Sequence, residues 1–146
     1  MSNAQITSKE RGQGTVVEDY DGKKYKILTA SGGAFVNGDV VIISEGDTYG
    51  YTFESTTTAD KVTVAGVVAD TIASAAYGRV QIAGVHSAVK LNGGTTDVAY
   101  GDRISTGLVA KYGAKVTTVT PGCVLGVALE AATGLTSTGA VLIRLA

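Results

Sequence analysis

The chain has 146 residues, the length of one ordinary domain, with 20 glycines, one proline, no tryptophan, 17% charged residues and a formal net charge of −1. A compact domain this long buries roughly 70% of its unfolded surface, so its core needs neither a metal nor a disulfide. A basic patch, the electrostatic footprint of nucleic-acid binding, is missing. The single cysteine, Cys123, excludes an intrachain disulfide and reads as a small core residue. No apolar run reaches the roughly 18 residues of a membrane-spanning helix. Residues 1–14 hold no apolar core of signal-peptide length, so the chain reads as made and used without the usual export. The low charge content fits either a surface covered by partners or a neutral, Ser/Thr-rich solvent face.

Residues 1–14 are polar, and Ile6 is the one large apolar side chain after Met1. They read as an arm, either frayed or ordered only against a neighbour. Residues 15–28 predict a β-hairpin, with Asp21-Gly22 as a type I′ turn and Tyr20, Tyr25 and Ile27 on one apolar face. Glu18, Asp19 and Asp21 lack the later oxygen ligands and the closing Glu of an EF-hand loop, and read as turn acids. A loop over 30–37 leads to Gly38-Asp39 and the strand Val40-Val41-Ile42-Ile43, four β-formers in a row. Such a run is buried on both faces or crosses between sheets. Tyr49 to Phe53 alternates as a half-exposed aromatic ladder. A strand is expected over 61–68 and one short helical turn over 70–77. In the next strand Val80 and Ile82 face one way, Arg79 and Gln81 the other. Gly84 marks a bulge and Gly93-Gly94 separates two halves.

The second half repeats the first. Gly38 and Gly101 stand 63 positions apart, as do Tyr49 and Tyr112; Gly66 and Gly126 stand 60 apart, and Gly78 and Gly139 stand 61 apart. An acid follows each Gly-Val pair at the same step, Asp70 and then Glu130. The runs are short, rich in Val, Ile and Thr, and cut by glycine about every ten residues, which is the pattern of a sandwich or barrel. The expected fold is all-β: one small barrel-like or sandwich-like domain over 15–146, built from two related β halves (36–85 and 99–146), with an extended N-terminal arm. With one proline, strand edges are expected to be covered by a neighbouring subunit or protein.

No enzyme is expected. There is no nucleophile elbow and no phosphate-cradling glycine loop. His86, the one histidine, has no second histidine or cysteine pattern to share a metal and reads as a hydrogen-bonding residue at a strand end. Asp39 with Asp102, and Asp70 with Glu130, recur as pairs, but an acid beside a turn glycine is structurally expected. No cofactor, metal site or catalytic residue is therefore assigned.

The ordering of Gly101-Asp102, Gly126-Val127-Ala128-Leu129-Glu130-Ala131-Ala132 and Val141-Leu142-Ile143-Arg144-Leu145 resembles the C-terminal half of small β proteins from tailed-bacteriophage head cassettes. The likeness covers about residues 95–146, with 36–85 as a weaker copy. The family looks like capsid decoration, or cement, proteins. It implies a virion protein made in the host cytoplasm that binds the capsid exterior. A homotrimer would lock neighbouring major capsid proteins, with no nucleic acid or membrane partner. In this reading the arm carries the contact, through Gln5, Ile6, Thr7, Ser8, Lys9 and Arg11. The other reading is a carbohydrate- or surface-binding β module of a phage fibre or adhesin, using Tyr49, Tyr51, Tyr77, Tyr100 and Tyr112.

Overall fold

Short runs of β-branched residues separated by glycine become ten strands, and no helix forms among the described residues. The computed structural model describes residues 14–19, 21–91, 96–116, 122–134 and 137–145. Most of the proposed arm, including Gln5, Ile6, Thr7, Ser8, Lys9 and Arg11, lies outside them, as do Tyr20 and Gly93-Gly94. The strands are β1 (Val16–Glu18), β2 (Lys24–Ala30), β3 (Val40–Ile43), β4 (Thr52–Glu54), β5 (Val64–Val68), β6 (Tyr77–Leu91), β7 (Arg103–Thr106), β8 (Gly113–Lys115), β9 (Gly126–Ala128) and β10 (Ser137–Arg144). The all-β expectation is met.

The pairings draw two rings that share one strand. The first runs β2-β4-β3-β5-β6 and closes when β6 pairs back, antiparallel, onto β2 from Lys24↔Ala83 to Thr29↔Tyr77. The second runs β6-β10-β9-β7-β8 and closes through the parallel pair Leu91↔Gly113. Each ring has one parallel contact, β2 with β4 and β6 with β8. The 15-residue β6 gives its first half to one ring and its second half to the other. Closure disposes of edges without proline or a partner. That corrects the expectation of covered edges: among the described strands, β1 alone pairs on one side.

The repeat of the sequence is a repeat of hydrogen bonds. Gly38 N–H donates to Val68 O and Val68 N–H to Asp39 O; their counterparts are Gly101 to Ala128 and Ala128 to Asp102. The Phe35↔Ile72 bridge recurs as Val98↔Ala132. Gly66 and Gly126 mark where two strands cross closely: a Cβ would lie 2.3 Å from Gln81 O at the first and 2.1 Å from Leu142 O at the second.

Two apolar cores form. Leu28, Phe35, Val41, Phe53, Val68 and Val80 fill the first ring. Leu91, Ile104, Leu125, Val141 and Ile143 fill the second, and Val40, Val64 and Val67 of the first ring join them. The run Val40–Ile43 is thus apolar because β3 is buried on both faces, one inside its own ring and one against the other ring.

Local differences have local causes. The hairpin turn is longer than the two residues of a type I′ turn: Glu18 pairs with Lys24, Asp19 N–H donates to Lys23 O, and Gly22 takes positive φ, at 87°. The helical turn over 70–77 is absent; Ile72 bridges to Phe35, and Ala75 at φ 64° makes a tight turn. The strand expected over 61–68 begins at Val64. Gln81 does not face solvent. It is 2% exposed, held in register between Tyr25 and Val67, and its amide donates to Ala83 O. Gly84, at φ 91°, does sit where β6 changes alternation, from Val80 inside the first ring to Val89 and Leu91 inside the second.

Candidate functional site

The repeated acids are structural anchors, each at a turn of its own ring. Asp39 accepts the Val36 N–H at 2.9 Å, and Asp102 accepts the Ala99 N–H at 2.9 Å. Asp39 is 1% exposed and has the Lys90 ammonium at 2.6 Å; Asp102 has Lys115 at 3.4 Å in a more open setting. Asp70 accepts the Arg79 N–H and Glu130 accepts the Ala140 N–H, so the shared task of these acids is to hold the start of a strand. Asp70 also grips the Arg79 guanidinium at 2.9 Å, which Ala140 cannot copy. Burial pulls the Asp70 carboxyl upward, but the Arg79 hydrogen bonds outweigh it and leave its pKa below the ordinary value.

His86 lies in the middle of β6 rather than at a strand end, because β6 continues past Gly84 to Leu91. Its Nδ1 accepts the Ala88 N–H at 3.1 Å, which leaves Nε2 to donate to Asn37 Oδ1 at 2.9 Å. Burial lowers its pKa against an opposing backbone hydrogen bond with Val68, and the Lys23 charge lowers it further. Cys123 is fully buried and its carbonyl accepts the Ser105 hydroxyl. Among the described residues, no group of three or more His, Cys, Asp or Glu side chains is placed to hold a metal ion.

The most exposed apolar side chains, Tyr49, Tyr100 and Leu108, sit on loops. Tyr49 and Tyr51 stack at 6.0 Å between centroids. Their loop is organised by Asp47, whose carboxylate accepts the Thr52 hydroxyl and the Thr52, Tyr51 and Tyr49 amides. The Thr52 bonds carry its pKa down to about 2. The corresponding loop of the second ring exposes Leu108, and Lys111 ties it to the first ring. Lys111 Nζ donates to Ala34 O at 3.0 Å and lies over the Phe35 ring, and Lys111 O accepts the Val40 N–H. The five tyrosines of the carbohydrate reading are spread over the molecule. The Tyr51 carbonyl meets β2, Tyr112 lies beside Lys90 of β6, and Tyr100 rides the turn bonded to β9.

No protein-family model and no curated protein matches the chain. Among solved structures it is similar to the N base of the head fiber protein gp8.5 of bacteriophage phi29. The TM-score is 0.54 and the identity 17%, over 82% of this chain and 92% of that one. The two chains share a fold. A match over 82% of this chain takes in residues of both rings. Sequence reasoning missed one feature of this fold. Lys23, Asn37, Arg79, Gln81, His86 and Ser87 converge on a polar recess at the middle of β6. No spacing signals it, because closure of the first ring assembles it from a turn, a loop and a strand.

Proposed function

We propose that this protein is a structural component of a phage virion. It binds the exterior of the expanded icosahedral head as a homotrimer and cements neighbouring major capsid proteins, with no catalytic step. The observation that carries this reading is the fold shared with a phage head-fiber base, over most of both chains. The repeated motifs around Gly101-Asp102 and residues 126–132 support it independently. A cement protein needs a stiff body and repeated contacts: linking three weak contacts in a trimer multiplies their effect through effective concentration. Two closed rings with a common strand make such a body.

Co-sedimentation with expanded and unexpanded heads tests the proposal. Binding to expanded heads alone supports it, and binding to neither overturns it. Deleting residues 1–14 is expected to abolish head binding while light scattering still reports a trimer. Unchanged binding removes the arm from the mechanism, and a monomer at tens of micromolar removes the trimer. The second reading, a base or surface-binding module of a fiber, draws on the same neighbour and on the stacked Tyr49–Tyr51 pair. Glycan binding lost on Tyr49→Ala and Tyr51→Ala favours it.

A further inference from the structure

We propose that the recess at the middle of β6 binds a small oxyanion, a carboxylate or a phosphate group. The inference does not depend on a place on a phage head. The recess has a volume of about 140 Å³. At about 30 Å³ per water, that is room for a few waters or one acetate or phosphate. Lys23 comes from the β1–β2 turn, Asn37 from the loop before β3, and Arg79, Gln81, His86 and Ser87 from β6.

The chemistry of this lining has one sign. Both ionised groups on the wall, Lys23 and Arg79, are cations, and the neutral side chains Asn37, Gln81 and Ser87 bring hydrogen-bond donors. The partner acids stand outside the wall. Asp70 holds Arg79 through Nε and Nη2, and Asp21 lies 3.6 Å from Lys23. Arg79 is further fixed over the Tyr25 ring at 4.7 Å, so its orientation is set before any ligand arrives. Gln81 and His86 are 2% and 6% exposed, so two polar side chains that line the recess are almost wholly buried. Because Nε2 of His86 donates to Asn37 Oδ1, the Asn37 amide is turned with its oxygen toward the ring and its NH2 left for another acceptor. Donors set in place by neighbours, in partly buried surroundings, are the arrangement that favours an anion. The nearby Asp70, Asp21 and Asp19, the last hydrogen-bonded to Tyr25 and acting on Arg79, weaken the net field, so affinity in roughly the millimolar range is expected.

His86 reports occupancy. Burial, and then the Lys23 charge, hold its pKa down. An anion beside it favours the imidazolium and raises that pKa, and by linkage the anion binds more tightly at lower pH. The experiment is an NMR titration of the His86 ring in the full chain, with acetate, inorganic phosphate or chloride at matched ionic strength. A saturable rise of about half a unit or more with an oxyanion, absent with chloride, is expected. Acetate acting alone marks a carboxylate site; phosphate acting alone or more tightly marks a phosphate site. Lys23→Gln, a change at a partly exposed turn residue, is expected to weaken the response about tenfold. The proposal is overturned if neither oxyanion gives a saturable shift, if chloride reproduces it, or if Lys23→Gln leaves it unchanged.

Discussion

The first and second rings have the same hydrogen-bond skeleton but opposite outer faces. On β3, Val40 packs against the second ring's core; 63 positions later on β7, its counterpart is Arg103, which faces solvent. Ile42 becomes Ser105, which stays buried and gives its hydroxyl to the Cys123 carbonyl. The loops diverge in the same sense. Asp47 organises the first ring's loop from within, whereas its counterpart is Ala110, and the second ring's loop is anchored on the first ring through its own Lys111. A duplicated backbone thus keeps its glycines and turn acids, because those positions answer to local geometry. It changes where one copy packs on the other and the second meets water, as at Val40 and Arg103.

The sharpest way to break this comparison is in the first ring's core, on β4. Phe53→Ala removes a fully buried ring set edge-to-face on Phe35 at 4.9 Å. A loss of about 3–5 kcal/mol is expected. Because β6 belongs to both rings, denaturant unfolding followed by circular dichroism should remain a single transition; two separated transitions would mean the rings are independent. Next come the matched glycines. Gly66→Ala and Gly126→Ala each drive a Cβ into a carbonyl of the crossing strand, and each should lose about 2 kcal/mol or more. Gly66→Ala should be the worse of the two, since Gly66 also has φ at 143°. Equal tolerance at either site would show that the close crossing is not needed.

The turn acids should separate the rings by burial. Asp39→Ala strands a partly buried Lys90 and is expected to lose about 3 kcal/mol, whereas the more open Asp102→Ala should lose about 1 kcal/mol. Equal losses in urea melts would contradict the burial argument. The smallest effects concern pH. Asp70 has a lowered carboxyl pKa, so its contribution is complete above the ordinary 3.8 and is lost as pH falls below it. His86 is also lowered, so its neutral form supports the fold above the ordinary 6.5, and that support declines as pH falls. Stability should therefore drop on acidification from pH 8 to 5, before the carboxylates titrate, and His86→Gln should flatten that drop. Arg79→Ala, at a half-exposed pair, should cost under about 1 kcal/mol.

Much of this was legible in the chain. The spacings of Gly38 with Gly101 and of Gly66 with Gly126 reappear as paired turns and paired strand crossings. The run Val40–Ile43 leaves burial on both faces or a crossing between sheets, and the two cores decide for burial on both faces. Residues 70–77 are not legible, because small residues carry little pattern and the bridge of Ile72 to Phe35 that replaces the expected helical turn is a contact across 37 positions. The Asp21-Gly22 turn was placed well but lengthened, since Asp19 and Lys23 add a backbone bond outside it.

Strand character, glycine punctuation and the internal repeat belong to the sequence alone, because each rests on a residue's own backbone preferences and on neighbours within a few positions. The sharing of β6 between two closed rings, the burial of Gln81 and the polar recess around His86 belong to the tertiary structure. They depend on which distant strands pair, and loop closure over tens of residues leaves no periodic trace in the chain.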